Sequence, residues 1–91
     1  MILVTTYRVK PYISNDELNE LMGVFADVGS APGTQAHYVS VDGSHGVVIT
    51  GSDDPAEGYR NLLNYRQWIE FSSSVVLRVE DAVPHIMDSL S

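Results

Sequence analysis

Gln35-Ala36-His37-Tyr38-Val39-Ser40-Val41-Asp42-Gly43-Ser44-His45-Gly46-Val47-Val48-Ile49-Thr50-Gly51 holds the feature on which the fold turns. Residues 35–41 and 46–51 are two strand-like runs joined through Asp42-Gly43, a dipeptide that tolerates the positive φ angles of a tight turn, so the stretch predicts an antiparallel hairpin. Centring a two-residue turn on Asp42-Gly43 sets the register. His37 then faces Val48, Tyr38 faces Val47, and Ser40 faces His45.

Before the hairpin, residues 2–9 are rich in β-branched and aromatic types and end in Lys10-Pro11, which predicts a first strand. Ser14-Asn15-Asp16-Glu17 then forms a capping box, in which the Ser14 hydroxyl accepts the Glu17 N–H and the Glu17 carboxylate reaches back. Leu18, Leu21, Met22, Phe25 and Val28 continue as the apolar stripe of a helix that Gly29 ends. After the hairpin, Asp54-Pro55-Ala56-Glu57 supplies an N-cap and a first-turn proline for a second helix expected from Pro55 to Trp68, with Tyr59, Leu62, Leu63, Arg66 and Ile69 on one face. Ser73 to Val79 predicts the last strand. Val83, Ile86, Met87 and Leu90 predict a short C-terminal helix with Pro84 in its first turn.

The order β-α-β-β-α-β, with a short terminal helix, predicts one α+β domain over residues 1–91 with a ferredoxin-like antiparallel four-stranded sheet. A sheet covered by helices on one face should alternate apolar and polar residues. These strands carry apolar residues on both faces: Ile2 and Val4 oppose Leu3, Tyr7 and Val9, and Val39 and Val41 oppose Tyr38. The uncovered face therefore needs another layer, and a second copy of the same sheet supplies it, so a homodimer is expected.

Asp42-Gly43-Ser44-His45-Gly46-Val47-Val48-Ile49, then Ser52-Asp53-Asp54-Pro55 and an aromatic-containing helix through Tyr65 and Trp68, resembles a family of short bacterial proteins known as a domain of unknown function. The likeness runs from about Val39 to Asp81, including Val75-Val76-Leu77-Arg78-Val79-Glu80-Asp81. It implies membership of the dimeric α+β-barrel superfamily, hence the fold and the dimer, and it implies no activity.

Composition narrows the function. Five Lys and Arg against twelve Asp and Glu leave a formal charge of −7, which repels nucleic-acid phosphates and anionic membranes, so neither is an expected partner. The absence of cysteine excludes disulfides, thiolate metal sites and thiol nucleophiles. No basic segment precedes the short apolar run at Met1-Ile2-Leu3-Val4, and no run approaches the ~20 apolar residues of a membrane span, so a cytoplasmic location is expected.

Candidate binding residues, for a cavity or an interface, are His37, Tyr38, Tyr59, Arg66, Trp68 and Arg78. His37 and Tyr38 are adjacent in a strand and point to opposite faces, so one of them lines any cavity between sheet and helices. Tyr59, Tyr65 and Trp68 offer an aromatic wall or a packed core. Arg66 and Arg78 are expected to pair with carboxylates, with anion binding the lesser reading. His37 and His45 fall on opposite faces and no third ligand stands at a metal-binding spacing, so neither a metal nor a cofactor is expected. Nucleophile-elbow, phosphate-loop and dinucleotide motifs are absent. A non-enzymatic dimeric binding or regulatory module for a small molecule or protein is the leading expectation. The alternative is a cofactor-independent enzyme of monooxygenase or isomerase type acting on a small aromatic substrate. An enclosed volume of at least about 300 Å³ lined by His or Tyr with Arg would favour a ligand site, and a volume filled by Met22, Phe25, Leu62 and Trp68 an interaction protein.

Overall fold

The computed structural model describes residues 1–91. Its elements are β1 (Ile2–Val9), α1 (Asn15–Val28), β2 (Thr34–Val39), β3 (His45–Gly51), α2 (Pro55–Leu63), β4 (Ile69–Val76) and α3 (Val79–Ser89). The four strands form one antiparallel sheet in the order β2-β3-β1-β4. This winding of β-α-β-β-α-β is the ferredoxin-like arrangement.

Local sequence accounts for α1 and the hairpin. The capping box closes in both directions, with the Glu17 N–H donating to Ser14 Oγ at 3.1 Å and the Ser14 N–H to Glu17 Oε1 at 3.4 Å. Gly29 ends α1 at φ 64° and donates its N–H to the Phe25 carbonyl, a conformation that favours glycine. His37 pairs with Val48 and Tyr38 with Val47, as the turn predicts. The connection itself is wider than two residues. The Ser40 N–H closes on the His45 carbonyl at 2.8 Å, leaving 41–44 as the loop, and the Gly43 N–H donates to the Ser40 carbonyl. Both connections hold an even number of residues, so the register is unchanged.

The second helix, the last strand and the terminal helix differ in extent from the sequence reading. The second helix stops at Leu63 rather than Trp68, because the Asn64 side chain donates to the Arg60 and Asn61 carbonyls and the chain turns through Tyr65 to Trp68. Arg66 is consequently off the helical stripe. The last strand is Ile69–Val76 rather than Ser73–Val79: Ile69, Glu70 and Phe71 pair with Val9, Arg8 and Tyr7. The terminal helix begins at Val79, which removes Arg78 from the strand and puts Pro84 inside the helix instead of in its first turn.

Leu3, Thr5, Tyr7 and Val9 of β1 point toward the helices, while Ile2, Val4, Thr6 and Arg8 point away. The packed core is small: Leu21, Tyr65 and Trp68, supported by Ile13, Val24, Ile69 and Phe71. The chain extends 58 × 26 × 17 Å with a radius of gyration of 16.0 Å, against about 12 Å for a compact domain of this length. Its surface of 6628 Å² exceeds the roughly 5,200 Å² usual for a compact protein of its mass. No helix is long and apolar enough to cross a membrane.

Candidate functional site

A cavity of about 510 Å³ lies between the sheet and the two helices α1 and α2. Strand positions Thr5, Tyr7, Val48 and Ser73 contribute its floor, Leu18, Met22 and Phe25 one wall from α1, and Tyr59 and Leu62 another from α2. Fifteen of its 26 lining residues are hydrophobic and none is Asp, Glu, Lys or Arg, so nothing in it neutralises a charged ligand. Met22, Phe25 and Leu62 line this space rather than fill it, and the arginine expected of a ligand site is missing.

Two side-chain pairs make the floor polar. The Thr5 and Ser73 hydroxyls share a hydrogen bond of 2.8 Å across β1 and β4. Tyr7 Oη lies 2.7 Å from His37 Nε2, with the rings edge to face at a 5.5 Å centroid separation. Tyr7 belongs to β1 and His37 to β2, with β3 between them. The phenol crosses because the intervening β3 residue is Gly46, the cross-strand partner of Tyr7. A Cβ there would run into the Tyr7 ring and come within 2.6 Å of the Tyr38 carbonyl oxygen. Phe71 supports the ring from β4 at 6.2 Å.

Burial pushes the Tyr7 phenol above its ordinary pKa, so at neutral pH it carries its proton. It then donates to an unprotonated Nε2, or its oxygen accepts the Nε2–H of the other tautomer. The pair is satisfied with either imidazole tautomer, so the orientation of the His37 ring is held. Burial raises the Tyr65 phenol too, and its O–H is committed to the Gly29 carbonyl at 2.7 Å, tying α2's exit to the end of α1.

The residues singled out from sequence separate. His37 and Tyr59 line the cavity. Tyr38 stands exposed on the opposite face, beside an open depression of about 600 Å³ that also takes in Arg8, His45 and Glu70. Trp68 is 7% exposed in the packed core. Arg66 and Arg78 are exposed outside the cavity. Neither makes the ion pair expected of it: the carboxylate partners are Lys10 with Glu17, Arg60 with Asp54, and the chain's first amine with Asp53. Sequence reasoning missed Tyr7, whose only local signal is that it is the single aromatic residue of the first strand. The loop set Asp42, Ser44 and His45 has the residue types of a hydrolytic triad in the wrong order. Ser44 Oγ lies 2.7 Å from Asp42 and 2.9 Å from His45 Nδ1, so the hydroxyl, not the imidazole, is the middle member. Hydrogen bonds from Ser44 and Ser40 hold the Asp42 carboxyl below the usual carboxylate range, which marks it as a turn brace.

Fold and cavity together define a ferredoxin-like α+β domain with a largely apolar pocket between sheet and helices. Within that class the chain belongs to the family described as Domain of unknown function (DUF3303), whose model matches residues 1–90. No curated protein matches the chain. Among solved structures it is similar to Rv0793 from Mycobacterium tuberculosis, at 16% identity over 85% of this chain and 95% of that one, with a TM-score of 0.47.

Proposed function

We propose that the protein is a homodimeric binding module whose cavity takes an uncharged, largely apolar small molecule carrying one hydrogen-bonding group. The observation that carries this reading is a lining without any formally charged side chain except a protonatable His37, opened around the Tyr7–His37 pair. An apolar ligand loses little solvation on entering such a site, and one hydroxyl or carbonyl meeting the imidazole fixes its orientation. The dimer is supported by apolar residues on the outer sheet face, Ile2, Val4, Val47 and Ile49, and by the surface in excess of a compact chain.

Two measurements test it. Native mass spectrometry of the purified protein is expected to show a neutral small molecule bound to a species of twice 10.0 kDa. Titration with the neutral dye N-phenyl-1-naphthylamine is expected to give saturable fluorescence that Val48→Phe, which narrows the cavity floor, abolishes. Dye binding unchanged by Val48→Phe would remove the cavity as the site.

A second reading, a cofactor-independent monooxygenase or isomerase acting on an aromatic substrate, draws on the same pair. With Nε2–H donating to the phenol oxygen, the free Nδ1 lone pair is the group that would take a proton from a bound ring hydroxyl. It predicts turnover that His37→Gln abolishes while dye binding persists. Dye affinity lost in step with turnover would instead make His37 a binding residue.

A further inference from the structure

The C-terminal helix is the feature that the cavity leaves unexplained. Val79, Val83, Ile86 and Leu90 form one stripe along α3 at helical spacing, and all are exposed, Ile86 at 55% and Leu90 at 76%. Beyond bonds at its own two caps, such as those of the Asp81 and Ala82 N–H groups to the Arg78 carbonyl, no hydrogen bond or ion pair joins the helix to the rest of the chain. Its Arg78 cap makes no side-chain bond, and Pro84 removes an internal one. Eleven residues with those defects are marginal as a helix in water, so α3 needs a surface to dock on.

The chain presents a matching surface that α3 does not cover. Leu18, Met22, Phe25 and Tyr59 stand at the mouth of the cavity, each at least 41% exposed. From Leu18 to Phe25 the α1 wall runs about 11 Å, and the α3 stripe about 16 Å, so one helix spans the opening. The occupant is a second copy rather than a membrane. The polar side of α3 carries Glu80, Asp81 and Asp88 with no Lys or Arg, the reverse of a helix that lies on anionic lipid. The excess of roughly 1,400 Å² per chain over a compact fold also exceeds the ~800 Å² each partner buries in a standard interface.

We propose that α3 of each chain lies across the mouth of a second copy's cavity, so that the ligand site is complete only in the dimer. This rests on the homodimeric binding reading above. The exchange is reciprocal: each chain supplies the floor and walls of one site and the roof of the other.

The absence of cysteine makes the arrangement directly testable with single introduced thiols. Met22→Cys and Ile86→Cys chains are mixed, re-equilibrated and joined with a short bis-maleimide, with Phe25→Cys as a second wall position. Mass spectrometry is expected to find covalent pairs made of one chain of each variant as the main product. Light scattering of the unmodified protein separates the two ways of failing. A 10 kDa species there overturns the homodimer and this proposal with it. A dimer whose only products join Ile86→Cys to itself, or that gives none, overturns the placement of α3 and leaves the dimer standing. So does joining within a single chain of the double variant at high dilution.

Discussion

Leu21 and Met22 are neighbours on α1, yet Leu21 packs in the cluster with Tyr65 and Trp68 while Met22 stands 54% exposed over the cavity. The same helix thus serves two regions of different kind. Its Leu21 and Val24 edge is held by contacts within the chain, and the exit of α2 is tied to its end through Tyr65 and Gly29. Its Leu18, Met22 and Phe25 edge faces a space that the chain does not fill. Apolar residues alone do not distinguish a core from a binding wall. The distinction here lies in whether the chain supplies the opposing surface.

The largest effect expected to test that contrast is Trp68→Ala, which removes the centre of the packed region and should cost about 3–5 kcal/mol in urea denaturation. Met22→Ala at the same protein concentration should cost less than half as much. Equal losses would mean that the cavity wall is core after all. Gly46→Ala comes next: the added methyl meets the Tyr7 ring and the Tyr38 carbonyl, and overpacking of this kind costs about 1–3 kcal/mol. It should also change the His37 imidazole resonances in NMR spectra by dislodging the phenol. Unchanged resonances would show that the pair does not depend on the glycine.

Ser14→Ala and Asp54→Ala should each lower stability by about 0.5–2 kcal/mol through lost N-caps while leaving dye binding intact. Loss of dye binding at an unchanged melting temperature would give one of these positions a role in the site. The smallest effect is in the phenol titration. Tyr7 and Tyr65 are raised by burial, so the folded state favours their protonated forms; that contribution is fully present below about pH 10 and is lost as pH rises through the folded values. Absorbance near 295 nm should show a late-ionising fraction in the folded protein, halved by Tyr7→Phe. A titration unaltered by Tyr7→Phe would show that its phenol is not protected.

The parts of the fold legible in the sequence were those whose determinants are close in the chain. Ser14 with Glu17 announces α1, Gly29 its end, and Asp42-Gly43 the hairpin register. The end of α2 was hidden because Tyr65 and Trp68 extend its apolar spacing past Leu63, while Asn64 stops it through side-chain bonds that compete with the backbone. The start of β4 was hidden by Ser72-Ser73-Ser74, a polar run inside a strand that pairs with β1 throughout. In the site, His37 and Tyr59 were reachable by face and spacing. Tyr7 was not, because its partner is 30 residues away and their meeting depends on how β1 and β2 flank β3.

The shift in β2 pairing between Thr34 and Ala36 makes the two edges of the sheet unequal. A bulged edge twists out of line and resists a further strand, whereas β4 runs regularly for eight residues from Ile69 to Val76 with no strand beyond it. Strand-to-strand association of chains during refolding therefore has one usable template. Val75→Pro, which removes an outward-facing donor there, should reduce turbidity on refolding at high concentration, and a proline at Gln35 should not; equal effects at the two edges would mean that the bulge offers no such protection.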